Sequence, residues 1–125
     1  MTTREDAVSQ ARAQLSTILE MVAACENGEE WEGIDPIDAI HENALSVQIR
    51  SGWHAPGEEH RGAEYEILLC TGGPAVRIVG ELDDDAQPET AELQAQGWGI
   101  PWETVPTTED EDEAMLTYAL HFWFE

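Results

Sequence analysis

The sequence predicts an α+β domain in which a long N-terminal helix and a C-terminal helix pack on an antiparallel sheet of three to four strands. Apolar residues recur every three or four positions near both ends of the chain, and they alternate with polar residues in between. The links between the predicted strands are short, which favours antiparallel pairing. A chain of 125 residues is long enough for one domain, spanning residues 1–125, and too short for two ordinary ones.

The first predicted helix has one apolar stripe and ends at Asn27-Gly28, residues that tolerate the left-handed conformation of a helix C-terminus. The stripe comprises Val8, Ala11, Leu15, Ile18, Leu19 and Val22. The next segment, residues 26–42, is an acidic connector without a basic residue. Its acids are Glu26, Glu29, Glu30, Glu32, Asp35, Asp38 and Glu42.

Two further helices are indicated by their capping residues. Asp35 before Pro36 is typical of an N-cap followed by proline at the first helical position, so we expect a short helix over residues 36–43. Thr108 and Glu111 have capping-box spacing, and the acids that follow Thr108 suit the positive end of a helix dipole. We therefore expect the last helix to begin at Glu109.

The strands are predicted from period-two alternation. Leu45–Arg50 and Glu64–Thr71 both alternate apolar with polar residues, except at Leu68. Gly72-Gly73-Pro74 is a strong turn signal, and the β-branched run Ala75–Leu82 follows it, so these two segments predict a hairpin. Ala91–Trp98 is a weaker fourth strand.

The charge of the chain is its most informative property. It has 27 acidic residues and five basic ones, all arginine, for a net charge of -22. Such a field repels nucleic acid and anionic membranes and attracts cationic surfaces, of which nucleic-acid-binding grooves are the commonest large examples. Because the chain contains no apolar run long enough for a membrane helix and no signal-peptide pattern at Met1, we expect a cytoplasmic protein.

The size of the charge supports mimicry of nucleic acid. Duplex DNA carries about 20 phosphates per helical turn of ~34 Å. A compact chain of this length has a radius of gyration of about 14 Å, so its diameter is close to one such turn. Two blander origins of the acidity stay open beside mimicry. A saline cytoplasm selects acidic proteins, and each acidic cluster by itself is typical of a solvated face or a capped helix end.

The predicted partner-binding residues are two acidic clusters on either side of a Gly/Pro loop that contains two tryptophans, Trp98 and Trp102. Tryptophan is enriched at interface hot spots, although it also covers the edges of cores. The acids assigned to this interface are Asp83, Asp84, Asp85, Glu89, Glu92, Glu109, Asp110, Glu111 and Asp112. The acidic connector is the next candidate.

The sequence predicts neither a metal site nor catalysis. In an EF-hand loop starting at Asp83, Pro88 would stand where glycine is required and Gln94 where a bidentate glutamate is required. The histidines are scattered, and no Cys/His pair has zinc spacing. Without a nucleophile motif or a phosphate-binding loop, we expect no enzymatic activity and no cofactor.

The stretch Glu64–Leu82, the segment Trp98-Gly-Ile-Pro-Trp102 and the aromatic C-terminus resemble small acidic proteins encoded by bacteriophages and prophages. The resemblance covers the chain from about Ala39 onwards. It implies a phage product that acts in the bacterial cytoplasm, where such proteins often inhibit restriction enzymes or CRISPR effector complexes by occupying their nucleic-acid-binding surfaces. No motif selects among these targets.

The resulting hypothesis is a DNA-mimicking inhibitor of a host defence complex, with anti-CRISPR activity as the leading specific function. Its partner would be the basic surface of a nucleic-acid-binding protein, with no direct contact to nucleic acid or membrane. The alternatives are an acidic phage accessory or assembly protein that binds an unrelated basic partner and, third, a halophile-type acidic domain or small enzyme.

Self-repulsion among the acids predicts that salt stabilises the fold. The Debye length falls from about 30 Å at 0.01 M salt to about 3 Å at 1 M, so the melting temperature should rise over this range. Thermal unfolding monitored by circular dichroism checks this expectation. A melting temperature that does not change between these concentrations would contradict it.

Overall fold

The computed structural model describes residues 4–51, 53, 55–57, 63–72, 74–97 and 101–124, apart from the side chain of Arg4. The predicted interface residue Trp98 and the turn residue Gly73 lie outside the described residues.

The predicted fold class is confirmed: the chain is α+β, with helices at both ends of the chain and an antiparallel sheet between them. The helices are α1 Arg4–Asn27, α2 Pro36–Asn43 and α3 Glu109–Ala119. The strands are β1 Ser46–Arg50, β2 Glu64–Cys70, β3 Ala75–Glu81, β4 Glu92–Gln96 and β5 Glu103–Thr104.

The five strands form one sheet in the order β1-β2-β3-β4-β5, so each strand pairs with its neighbour in the chain. Ile67 lies opposite Ile78, which in turn lies opposite Leu93, and all three side chains are buried against the helices. Because successive side chains in a strand point to opposite faces, the residues between them form the other side of the sheet. We call this side the helix-free face. It comprises Ser46, Gln48, Arg50, Glu64, Glu66, Leu68, Arg77, Val79, Glu81, Glu92 and Gln94.

A single core lies between the sheet and the helices. Helix α1 contributes most of its predicted stripe, although Val8 and Leu19 are only partly buried and Met21 is fully buried. Among the described residues, no polar or charged residue is buried, so the interior contains only apolar groups and two tyrosines. The largest fully buried side chains are Tyr118, Leu15, Ile18, Met21, Ile40, Ile67, Ile78, Leu93, Met115 and Val76.

The predicted helix caps are present. The Asp35 side chain accepts a hydrogen bond of 2.9 Å from the Ile37 amide, and Pro36 begins α2. Thr108 and Glu111 form the reciprocal capping box, in which each side chain accepts from the other residue's amide, at 2.9 and 3.2 Å. Each cap satisfies helix amides that have no intrahelical partner.

The sheet has one strand more than predicted. Strand β5 contains only two residues, paired with Gln94 and Ala95 of β4. It lies between Pro101 and Pro106. A pattern of alternation cannot be recognised in two residues, which is why the sequence did not predict this strand.

Gly80 allows the chain to approach itself closely where β3 ends. A Cβ atom at this position would lie 2.0 Å from the Thr90 carbonyl oxygen and 2.7 Å from the Tyr65 ring. The Tyr65 hydroxyl donates a hydrogen bond to the same carbonyl. Any side chain at position 80 would therefore push the segment before β4 away from β3.

We expect Gly80→Ala to destabilise the protein by about 3 kcal/mol, because the added methyl group meets backbone rather than a side chain that can rotate away. Gly28→Ala is the control: its Cβ would meet nothing within 4 Å, and only its φ of 68° is strained. That strain should cost about 1 kcal/mol. Urea unfolding of both variants measures the difference, and equal losses would contradict the proposed clash.

Candidate partner-binding face

The helix-free face presents a grid of carboxylates. Glu64 and Glu66 follow each other along β2, Glu81 lies opposite Glu64 on β3, and Glu92 belongs to the adjacent β4. Side chains on one face repeat every ~6.8 Å along a strand and every ~4.8 Å between strands. Because the sheet fixes these spacings, the grid is preorganised for a partner.

Arg77 holds this grid together from the central strand. Its Nη1 donates to the Glu66 carboxylate at 2.6 Å, and its Nε donates to Gln94 Oε1 at 2.8 Å. Gln94 Nε2 in turn donates to Glu92 at 2.8 Å, so one network crosses three strands. The Arg77–Glu66 pair is largely shielded, with 22% and 26% of the two side chains exposed. Partial burial strengthens such a charge-assisted pair relative to one on the open surface.

Trp102 lies over this network. The centre of its ring is 4.1 Å from the Arg77 guanidinium carbon, within the range of a cation–π contact. Trp102 is half-buried and does not belong to the core cluster. Its placement favours a surface role over the core-edge role that the sequence left open. The ring also fixes the orientation of Arg77.

A second ion pair lies near the edge of the sheet. Arg50 on β1 donates to Glu64 on β2 at 2.6 Å, and both side chains are well exposed. The face therefore carries two arginines against four glutamates, and each arginine is already bound to a carboxylate. The charges of Glu81 and Glu92 are left in excess.

The face is concave. A groove of about 360 Å³ lies between the two ion pairs, and Val79 forms part of its lining. Its polar lining residues are Gln48, Arg50, Glu64, Glu66, Arg77, Glu92 and Gln94. Preformed concave sites with a few convergent polar groups are the usual shape of binding sites.

The predicted interface acids Asp83–Asp85 lie in the turn between β3 and β4. The Asp83 carboxylate accepts hydrogen bonds from the amides of Asp85 and Gln87 at 2.9 and 3.0 Å, as aspartate commonly does in turns. Asp84, Asp85 and Glu89 are exposed. Asp83 thus shapes the turn, whereas its neighbours are directed to solvent.

The second predicted acidic cluster, Glu109–Asp112, forms the first turn of α3 on the helix side of the sheet. Arg12 of α1 binds Glu111 through both terminal nitrogens, at 3.1 and 2.7 Å. Asp112 accepts from the Thr107 hydroxyl. Two members of the cluster therefore join α3 to its surroundings, and Glu111 is separated by the sheet from Glu92 and Trp102.

All seven acids of the acidic connector are exposed. A two-residue turn with positive φ at Glu32 (49°) and Gly33 (81°) folds the connector back, and Trp31 and Ile34 bond to each other through both backbone groups. Positive φ at both central positions is the mark of a type I′ turn. The connector thus has a defined shape but forms a surface separate from the helix-free face.

The residues that the sequence did not assign to the interface are Glu64, Glu66, Arg77 and Glu81. The alternation of Glu64 and Glu66 with Tyr65 and Ile67 contained this signal, because it placed both acids on the solvent side of one strand. Nothing in the local pattern indicates the register that sets Glu81 beside Glu64.

The described residues contain no group of three or more His, Cys, Asp or Glu arranged to hold a metal ion. Both cysteines are free and half-buried. Burial raises the pKa of both thiols, and the carboxylates of Asp35 and Glu26 raise that of Cys25 further. A raised pKa keeps a thiol protonated and therefore weakly nucleophilic.

Comparison with known proteins yields no relative. No protein-family model, curated protein or solved structure matches this chain at a significant level. None of the helices formed by the described residues is both long and apolar enough to cross a membrane.

The Arg12–Glu111 pair predicts a loss of stability in acid. The hydrogen bond from Arg12, followed by that from the Thr108 amide, lowers the pKa of Glu111. A carboxyl group with a lowered pKa in the folded state stabilises the protein above its unfolded pKa, and this contribution disappears as the pH falls through the folded value. Glu111→Gln should therefore cost about 1 kcal/mol at pH 7 and almost nothing at about pH 2.

Asp110→Asn is the matched control, because it removes one charge from the same helical turn without removing a contact to Arg12. It should leave stability nearly unchanged at both pH values. Urea unfolding at each pH measures both variants. If the cost of Glu111→Gln is the same in acid as at pH 7, the ion pair is not its source.

Proposed function

We propose that this protein is a stoichiometric inhibitor that binds the basic nucleic-acid-binding surface of a bacterial defence complex, in the cytoplasm of the host. CRISPR effector complexes are the leading targets, and restriction enzymes come next. The observation that carries the proposal is the carboxylate grid of the helix-free face. Rows of arginine and lysine that normally contact phosphates would meet carboxylates on this face instead.

The spacing of the grid supports mimicry of a phosphate backbone. Acids two residues apart along a strand are separated by ~6.8 Å. This distance equals about two base-pair steps of ~3.4 Å along one strand of a duplex. Glu64 and Glu66 have this separation, and Glu81 adds a second row. The groove beside them offers space for long cationic side chains.

The distribution of positive charge also supports the proposal. Each arginine side chain whose contacts are described, at positions 12, 50 and 77, is bound to a glutamate. Basic side chains of a partner would therefore not meet an unpaired arginine at these positions. Complementary charge of this kind mainly accelerates association and selects among partners.

Trp102 would supply the apolar part of the contact. It is half-buried beside the carboxylate network, where a partner's arginine or aliphatic side chain can pack on it. Tryptophan at the centre of a polar rim is a frequent hot spot.

The function is tested by capture and competition. The immobilised protein is incubated with nuclease-treated bacterial lysate, and purified Cas effector complexes and restriction enzymes are tested in parallel. We expect the bound protein to be a nucleic-acid-binding one that a 30-bp DNA duplex displaces, and whose DNA cleavage the inhibitor blocks at a 1:1 ratio. Binding should weaken steeply with salt. A bound partner that duplex DNA does not displace would refute mimicry and favour the accessory-protein alternative.

The binding face is located by charge changes of equal size at different places. Glu81→Gln/Glu92→Gln removes two charges from the helix-free face, whereas Asp84→Asn/Asp85→Asn removes two from the turn. We expect the first variant to lower the association rate about tenfold and to flatten its salt dependence. The second should have a much smaller effect. The reverse order would place the interface at the turn.

Trp102→Ala should raise the dissociation rate about 30-fold, which corresponds to the ~2 kcal/mol of a typical hot spot. Its melting temperature should change little, because the ring lies outside the core cluster. Trp102→Phe is the control that retains an aromatic ring over Arg77. If Trp102→Ala loses binding only in proportion to lost stability, the ring has a structural role.

A further inference from the structure

Edge strand β1 differs from the rest of this acidic surface. No acidic residue occurs between Glu42 and Glu58, a stretch that includes β1. Two more long stretches without acids, residues 67–80 and 114–124, contain buried core residues. In contrast, β1 has no buried residue. The absence of acids from β1 is therefore not explained by burial.

The strand also exposes apolar side chains. Leu45 is 59% exposed at its start, and Ile49 is 45% exposed within it. Ile49 lies opposite Tyr65, and the Phe124 ring is 5.0 Å from the Tyr65 ring. The C-terminal segment consequently lies near the helix side of β1, and its Trp123 is 79% exposed. An exposed apolar surface beside an open sheet edge is typical of an interface.

Natural proteins usually protect an open sheet edge with lysine, proline, a bulge or a very short strand. Strand β5, at the opposite edge, has only two residues. Strand β1 pairs with β2 over five consecutive residues without a bulge and contains neither lysine nor proline. Its one charged side chain, Arg50, binds Glu64 on the neighbouring strand, away from the open edge.

We propose that β1 pairs with β1 of a second copy of this chain, antiparallel and centred on Gln48, to form a two-fold dimer with a continuous ten-stranded sheet. The register is self-complementary. Val47 meets Ile49 of the other copy on the helix side, whereas Ser46 meets Arg50 and Gln48 meets its own counterpart on the opposite side. No like charges face each other, as a symmetric interface requires.

The same register places the two helix-free faces on one side of the dimer, because the two-fold axis is perpendicular to the sheet. The dimer also leaves each acidic grid uncovered. This inference does not depend on the proposed function, since it uses only β1 and the segments beside it.

Charge gives the dimer an unusual salt dependence. Two bodies that each carry a net charge of -22 repel each other, and salt screens this repulsion. Dimerisation should therefore strengthen with salt, whereas binding to a basic partner should weaken. The opposite signs separate the two associations in a single series of measurements.

The test uses sedimentation of the full chain at 0.05 and 0.5 M NaCl. We expect a dimer whose dissociation constant falls at least tenfold at the higher salt concentration. Gln48→Glu, which sets two carboxylates against each other across the axis, should raise the dissociation constant at least tenfold. Thr104→Glu, which adds the same charge at the β5 edge, should not. A protein that is monomeric up to about 1 mM at both salt concentrations would overturn the proposal.

A cross-link locates the interface independently. Gln48→Cys, in a chain with Cys25→Ser and Cys70→Ser, should form an intermolecular disulfide with oxidised glutathione. Directly opposed residues in antiparallel strands have Cα separations of about 4.5–5.5 Å, which suits a disulfide. Thr104→Cys in the same background should remain monomeric. A dimer that neither cross-links at position 48 nor responds to Gln48→Glu would place the interface elsewhere and overturn the proposal.

Discussion

Electrostatic repulsion is the constraint on which the rest of this structure depends. A net charge of -22 on one small domain opposes compaction, and the chain has only five arginines to offset it. Those whose side chains are described do not neutralise charge at random. Arg12 joins two helices, Arg50 joins β1 to β2, and Arg77 joins three strands through Glu66 and Gln94. Each arginine therefore both removes a repulsion and connects separate elements.

Local patterns sufficed to predict most of the fold. The apolar stripe of α1, the Asp35 cap and the Thr108 capping box depend on residues at most four positions apart, so they are legible in the sequence. The hairpin of β2 and β3 was predicted for the same reason. Strand β5 was missed because its two residues form no pattern and are held by tertiary pairing with β4.

The candidate site was only partly predictable, because it depends on register. Glu92 and Trp102 were chosen for their acidic and aromatic character, and both lie on the helix-free face. The sequence also grouped them with Glu111, which Arg12 holds on the helix side. Proximity along the chain was the only available guide, and it cannot tell on which side of a sheet a residue lies. Trp98 was chosen on the same grounds and lies outside the described residues.

The sequential order of the strands has a consequence for how the protein folds. Since every strand pairs with its neighbour in the chain, the sheet can form through successive hairpins that each close a short loop. Helix α1, in contrast, is the first element along the chain but packs on β3 and β4 and on α3, which come much later. We therefore expect the nucleus to form in the central hairpin and α1 to dock late, so that core substitutions in α1 mainly accelerate unfolding.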